Sequence, residues 1–412
     1  MRWRAVAAAL VTILLVGGLF VFGEVTGGFF AWFLFYFSIV LVIYEWLTLF
    51  VSLSGIQVKR ELSAQRLAAG QSLTVRVSLR RRNIWPMFWV RIHEGLPQRW
   101  ILQTTGLDRI HVPLWKSRID YTYTVKNLPR GVYQLNGTTV ETGDLLGLLR
   151  VQKAIRQGNH LIVYPRIAPV RGWTGHHPDE YGEHQPSHRR SEESSNVIGV
   201  RAYVPGDRLN RIHWPVTART GQLQAKEFEM HVTSEFKFVP DSTVFSYGEG
   251  NQSAEKFDLA MTITASLLRH AYDNNRKFGM ALTTSPHVVY PTGTDVALLN
   301  GCMESLAALQ PVSRQDMVPI LRQLGAESTR GTVFVIVSPR VDKEVAVVVT
   351  ALSHLGGVQY FVPFTGARLT DADLQGVKLL QSAGAQVHLI RKSDQLSFLY
   401  RGGVIGATNS PH

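Results

Sequence analysis

Thr332-Val-Phe-Val-Ile-Val-Ser338 is a short apolar run, rich in β-branched residues and closed by a hydroxyl at each end, and its neighbours decide the fold of the C-terminal half. Phe236–Val239, Gly279–Thr284, Val358–Phe364 and Gln386–Ile390 are runs of the same kind. Between them, 255–273, 295–309, 341–354 and 371–383 have helical spacing. Strand alternating with helix predicts a mostly parallel, doubly wound α/β sheet over 236–412. In the first helix Phe257, Ala260, Met261, Leu267, Leu268 and Ala271 recur at helical spacing and are expected in the core.

Upstream the pattern changes to β. Between about Gly55 and Pro169, Leu73-Thr-Val-Arg-Val-Ser-Leu79 and Tyr121-Thr-Tyr-Thr-Val125 alternate with period two between Gly, Pro and Asn turns. Several short strands without intervening helices predict a β-sandwich-like module. The first fifty residues differ again, with apolar runs Ala5–Phe22 and Phe29–Tyr44 separated by Gly23–Gly28. Each run, with its flanks, has the ~17–25 residues that cross a bilayer as a helix. Arg2 and Arg4 precede them, Lys59, Arg60 and Arg66 follow, and the connection carries Glu24 and no cation. That asymmetry predicts a two-span, multi-pass protein of the cell membrane with both ends and the bulk of the chain cytoplasmic. Glu45, beside Trp46, is expected to reach the headgroups. The expected organisation is a transmembrane hairpin at 1–54, a β-sandwich-like domain at 55–170, a linking segment at 171–235 and the α/β domain at 236–412.

The chain has 412 residues and a formal net charge of +12. The segment 55–170, with 18 basic and 6 acidic residues, carries all of that excess and includes Arg80-Arg81-Arg82. A surface facing anionic lipid headgroups is expected there, the alternative being a basic face that only aids solubility. Nucleic acid is disfavoured, because no recognition-helix, RNA-binding or zinc-finger pattern accompanies the charge. Hydrophobic residues at 45% against 18% charged exclude wholesale disorder. The single Cys302 excludes a disulfide framework and a cysteine-rich metal centre, and its neighbours Leu298, Leu299, Met303 and Leu306 predict packing.

Few residues form a pattern that carries chemistry. His176, His177, His184 and His188, with Asp179, Glu180 and Glu183, are metal-ligand types, but Pro178, Gly182 and Pro186 read as a solvated loop that would not align them. His93-Glu94 lacks the second histidine of a zinc-protease helix. No phosphate-binding or dinucleotide-binding glycine loop and no nucleophile elbow is present, so no cofactor is expected.

The densest polar stretch runs from Arg201 to Glu229. Pro205-Gly206 is a turn, Asp207 is expected to cap the turn that follows, and Thr220-Gly221 closes it before a strand over Leu223–Phe228. Arg201, Arg211 and Arg219 can each bind carboxylates or phosphates in bidentate fashion. Two readings stand: an internal network joining them to Asp207, Glu227 and Glu229, or a site for an external anion or partner. His213 is the residue there suited to act as a base near neutral pH.

Arg201-x-Tyr203-x-Pro205-Gly206-Asp207-x-x-x-Arg211-Ile-His213-Trp214-x-x-Thr-Ala-Arg219-Thr-Gly-x-Leu, followed by Lys226-Glu227-Phe-Glu, resembles the signature of the bacterial domain of unknown function 58 family. Arg130-Gly-Val-Tyr133, Gly143-Asp-Leu-Leu-Gly-Leu-Leu149 and Val163-Tyr-Pro-Arg166 match it too, while Asn210 and Pro215 stand where basic residues are usual. The resemblance implies two N-terminal spans and a C-terminal von Willebrand factor A-like domain. Such a domain often holds a divalent metal through Asp-x-Ser-x-Ser, with a Thr and an Asp from later loops. Here the stretch is Asp241-Ser-Thr243-Val-Phe245, and Ser338-Pro339-Arg340 replaces the acidic turn, so metal binding is not expected. Asp241 and Thr243 are degenerate candidates, which a rearranged site would supplement with Ser242 and with Thr292 or Asp295.

The resemblance implies no established catalytic activity. It implies company: a MoxR-type AAA+ ATPase and a transglutaminase-like membrane protein. The expected function is a membrane-anchored cytoplasmic scaffold or adaptor in assembly or maturation of a complex, with Arg201, Tyr203, Gly206, Asp207, Arg211, His213, Trp214, Arg219, Lys226 and Glu227 as partner-binding candidates. The alternatives are a hydrolase using the 201–229 constellation and an anionic lipid-binding protein.

Overall fold

The computed structural model describes residues 2–83, 85–105, 107, 110–143, 150–173, 197–204, 207, 209–228, 235–248, 250–284, 288–314, 316–366 and 369–399. The chain folds as two compact units, Met1–Arg166 and Ile167–His412.

The first unit opens with α1 (Arg2–Thr26) and α2 (Phe29–Val51), joined at Gly27 and Gly28, whose φ angles of 59° and 93° suit glycine. Phe20 of α1 meets Trp32 edge-on at 6.1 Å and Phe35 at 5.4 Å. Phe29–Thr48 is long and apolar enough to cross a membrane; Ile13–Thr26 within α1 is a shorter apolar stretch. Glu45 is buried within the unit, not directed to headgroups as its place beside Trp46 suggested.

The β module consists of β1 (Ile56–Leu62), β2 (Arg66–Ala68), β3 (Leu73–Arg81), β4 (Val90–Gly95), the one-turn α3 (Gln98–Ile101), β5 (Thr104–Thr105), β6 (Ile110–His111), β7 (Arg118–Val125), β8 (Gly131–Gly143), β9 (Arg150–Ile155) and β10 (Asn159–Tyr164). One sheet has the order β1-β3-β7-β5, the other β2-β10-β8-β4-β6 with β9 also paired to β8. Residues 73–81 and 118–125 alternate buried and exposed as their period-two pattern predicts. Val75, Val77 and Tyr123 from the first sheet share one core with Ile92, Leu135, Val140 and Leu161 from the second, which is the sandwich expected from sequence. Inside it lies an ion pair invisible to periodicity. Arg60 Nη2 donates to Glu94 Oε2 at 2.5 Å, both side chains being fully buried, and the Tyr121 hydroxyl donates to Glu94 Oε1 at 3.0 Å. His93 and Glu94 therefore belong to a strand and not to a metalloprotease helix.

In the second unit β11 (Val197–Ala202) and β12 (Gln224–Phe228) form an antiparallel pair, enclosing a 3₁₀ turn at Leu209–Arg211 and α4 (Trp214–Thr220). The α/β portion follows as β13 (Phe236–Pro240), α5 (Val244–Tyr247), α6 (Asn251–Asp273), β14 (Phe278–Leu282), β15 (Val288–Gly293), α7 (Val296–Ala308), α8 (Met317–Glu327), β16 (Val333–Val337), α9 (Lys343–Ser353), β17 (Val358–Pro363), α10 (Asp371–Ser382) and β18 (Ala385–Ile390). The sheet order is β15-β14-β13-β16-β17-β18, parallel except for β15. All five apolar runs are strands, and Phe257, Ala260, Met261, Leu267, Leu268 and Ala271 are buried. Cys302 is buried, and desolvation pushes its thiol up to about 12, as a packing residue requires. Three of these elements escaped the sequence reading, the one-turn α5 among them. The edge strand β15 is short and half exposed, and α8 carries Pro319 in its first turn, where the missing N–H costs nothing.

His388 on β18 stacks on Phe361 at 4.6 Å and bonds to Gln359 Oε1 at 2.9 Å. Desolvation lowers its pKa from 6.5 to about 4. The unfolded chain then binds a proton that the folded one refuses. His388 costs no stability above pH 6.5, and the cost grows as pH falls towards 4, reaching about 3 kcal/mol. Unfolding midpoints measured across that window should fall less steeply in His388→Gln than in the wild type.

Candidate functional site

The signature folds around the β11–β12 pair. Tyr203 N–H donates to Leu223 O at 2.9 Å and His213 N–H to Gln224 O at 2.8 Å, so the enclosed segment is tied at these two residues to the start of β12. Buried Ile212 and Ala225 form a bridge beneath it. Arg201 Nη2 donates to Asp207 Oδ1 at 2.7 Å, and Asp207 Oδ2 accepts Val204 N–H at 3.1 Å. Asp207 thus closes the turn before it, and the N-cap of α4 is supplied by another residue. That cap is His213, whose Nδ1 accepts Val216 N–H at 3.4 Å, with Pro215 in the first turn of α4. Gly221, at φ 70°, ends α4 with its N–H on Thr217 O, as the Thr220-Gly221 pair predicted.

The structure therefore separates the signature residues. Arg201 and Asp207 form an internal pair, the aspartate side chain being only 8% exposed. Tyr203, Arg211, His213 and Lys226 are half-buried. Trp214, at 62% exposure, and Arg219 face solvent, as do Val204, Leu209 and Leu223. Glu227 lies on β12. Gly206, Glu229, Asp144–Leu149 and the histidine-rich stretch from His176 to His188 fall outside the described residues.

A second cluster stands where β13, β14 and β16 end. Asp241 has no exposed surface; its Oδ1 accepts Thr243 N–H at 2.8 Å and its Oδ2 accepts the Ser338 hydroxyl at 2.7 Å. Ser242 is held by Thr283, whose Oγ1 accepts its N–H at 2.7 Å, and Thr243 bridges Ser313. Beside them lies an open cleft of about 820 Å³ lined by Phe245, Asp316, Arg340 and Asp342 among others. Its floor is tight: a Cβ on Gly376 of α10 would lie 1.8 Å from Val341 O.

Arg340 organises this cleft. Its Nη1 lies 2.5 Å from Asp316, which caps α8 through Val318 N–H. Its Nε bonds Asp342, which caps α9 through Val345 N–H, and its Nη2 lies 2.9 Å from Glu344. Burial disfavours its charge, but Asp342 and Asp316 outweigh that and carry its pKa above the usual arginine value. These residues do not fit a divalent cation. Both Asp241 oxygens are engaged by protein donors, Phe245 is 77% exposed and offers no oxygen, and a guanidinium holds the neighbouring carboxylates. The rearranged site fails on topology. Gly293 pairs with Phe278 at the start of β14, so Thr292 and Asp295 lie at the opposite end of the strands from Asp241, and Thr292 donates to Glu235 at 2.9 Å. Asp316 and Asp342 escaped the sequence reading; the signal was an aspartate just before a helical apolar run, the pattern of an N-cap.

The family described as "Protein of unknown function DUF58" matches residues 199–358, from β11 to the first residue of β17. The chain is also similar to the protein of Bacillus subtilis (strain 168) described as "Uncharacterized protein YeaD", 26% identical over 404 residues that cover 96% of this chain and 95% of that one. Among solved structures, Cwp6 from Clostridium difficile overlaps 82% of this chain at 8% identity with a TM-score of 0.17, and the chain spans 37% of that structure. That overlap is too loose to indicate a shared fold.

Two outcomes are expected from these geometries. Asp207→Ala, which removes the carboxylate that Arg201 Nη2 and Val204 N–H donate to, should destabilise the β11–β12 pair by about 1–3 kcal/mol, read as faster amide exchange in 197–202 and 224–228. Added Mg²⁺ should leave the thermal unfolding midpoint unchanged, since an ion held only by the native state would raise it.

Proposed function

We propose that this protein is a membrane-anchored cytoplasmic adaptor whose 201–226 signature docks a MoxR-type AAA+ ATPase during assembly or maturation of a complex. In this reading α1 and α2 form a two-span hairpin with both ends cytoplasmic. The exposed cations Lys59, Arg66, Arg80 and Arg82 after α2, against Glu24 in the connection, support that orientation. The C-terminal sheet is read as von Willebrand factor A-like, on the strength of its strand order, its antiparallel edge strand β15 and the aspartate that ends central β13.

The observation that carries the reading is the division within the signature. Its Arg201–Asp207 pair is turned inward, while Trp214 and Arg219, types enriched at protein-binding hot spots, are left to solvent with Leu209 and Val204. A transglutaminase-like membrane protein is the second partner of the proposed assembly.

The test is capture of the MoxR-type ATPase from detergent extracts by the full chain. Trp214→Ala and Arg219→Ala should each leave the unfolding midpoint within about 0.5 kcal/mol of wild type, as exposed substitutions do, yet lose at least tenfold in capture. Undiminished capture by both variants would remove the signature from the interface.

A further inference from the structure

A second exposed patch lies in the first unit, tied to the end of α2. Tyr44 stacks on Trp85 at 5.7 Å, and Trp85 Nε1 donates to Thr48 Oγ1 at 3.1 Å. Asn83 Nδ2 reaches Val51 O at 2.5 Å and Ser52 O at 3.0 Å, at the C-terminal end of α2. The segment between β3 and β4 is thereby fixed to the level at which the apolar stretch Phe29–Thr48 stops.

A neighbouring loop is fastened to the same level. Met87 and Leu114 exchange two backbone hydrogen bonds, at 3.0 and 2.8 Å. Buried Arg81 spans both segments: its guanidinium donates to Trp85 O, to Leu114 O at 2.6 Å and to Lys116 O at 2.8 Å. Leu114 is held at φ 48°, a left-handed conformation unusual for leucine. The loop so fastened turns its apolar side chains outward: Val112 is 63% exposed, Leu114 41% and Trp115 68%. Exposed cations Arg80, Arg82 and Lys116 accompany them.

We propose that Val112, Leu114 and Trp115 insert into the headgroup–acyl boundary of the leaflet in which α2 ends, making the β module a second membrane contact beside the helix. Three observations converge on lipid as the occupant. The loop is continuous with the end of an apolar helix through Trp85 and Arg81; tryptophan with aliphatic neighbours is the composition of the bilayer interface; and the adjacent cations match anionic headgroups. The proposal rests on reading α2 as a span.

The experiment uses the full chain with Cys302→Ala, reconstituted in vesicles of phosphatidylcholine and phosphatidylglycerol. An environment-sensitive fluorophore is attached in turn at Trp115→Cys, Val112→Cys, Phe37→Cys and Leu102→Cys, and lipids carry a nitroxide either near the headgroup or deep in the acyl chain. Leu102, 94% exposed, is the aqueous control. It precedes β5, which pairs with β7 at Val125 opposite Leu73, the far end of β3 and about 25 Å from Arg81. Labels at 115 and 112 should emit at shorter wavelength than the label at 102 and be quenched by the shallow nitroxide, while the label at 37 is quenched by the deep one. Quenching at 37 with water-like, unquenched emission at both 112 and 115 would overturn the insertion and leave the span standing. A label at 37 beyond reach of the deep nitroxide would overturn both.

Discussion

A carboxylate with no exposed surface must be satisfied by the protein, and Asp241 is such a group at the point where the central strand of the α/β sheet ends. Its two oxygens take the Ser338 hydroxyl and the Thr243 N–H, so the loops after β13 and β16 are bound to each other through it. The remaining charge in the crevice follows from that closure. Arg340 stands next in the chain beyond Ser338 and Pro339, and its guanidinium joins the carboxylates that begin α8 and α9. This sheet end carries a fixed guanidinium and an exposed phenyl ring.

The first unit obeys the same rule with a different group. Arg60 and Glu94 are charges of opposite sign from β1 and β4, in different sheets, and each would be costly alone in the sandwich core. Arg81 does comparable work at the edge, where one side chain collects three carbonyls and decides which residues of the 112–116 loop turn outward. The proposed docking residues and the proposed membrane contact belong to different units. The apolar exposure of the first unit follows the end of α2, and that of the signature surrounds an internal Arg201–Asp207 pair.

Much of the fold was legible in the sequence because periodicity reports burial directly. Period two in 73–79 and 121–125, and apolar runs separated by helical spacing after Glu235, identify elements whose partners need not be known. The strand β15 and helix α8 were missed for the opposite reason: one is an edge strand without a buried stripe, and the other opens on a proline that reads as a break. In the signature, Gly221 was legible as a helix end because a left-handed residue is needed there. An aspartate near a turn can bond in either direction along the chain, so the sequence did not reveal that His213 caps α4.

The sequence by itself determined the alternation of elements, the place of the apolar N-terminal helix, the basic excess of 55–170 and the presence at 245 and 340 of side chains that offer no oxygen ligand. Each is a property of composition or local spacing. Only the tertiary structure decided that Arg60 meets Glu94, that Arg340 joins Asp316 to Asp342, that Thr292 lies at the far end of the sheet from Asp241, and that Arg81 brings Leu114 to Trp85. Those pairings link residues whose spacing carries no periodic signal, and they form because a buried charge accepts whatever partner the packed strands bring within reach.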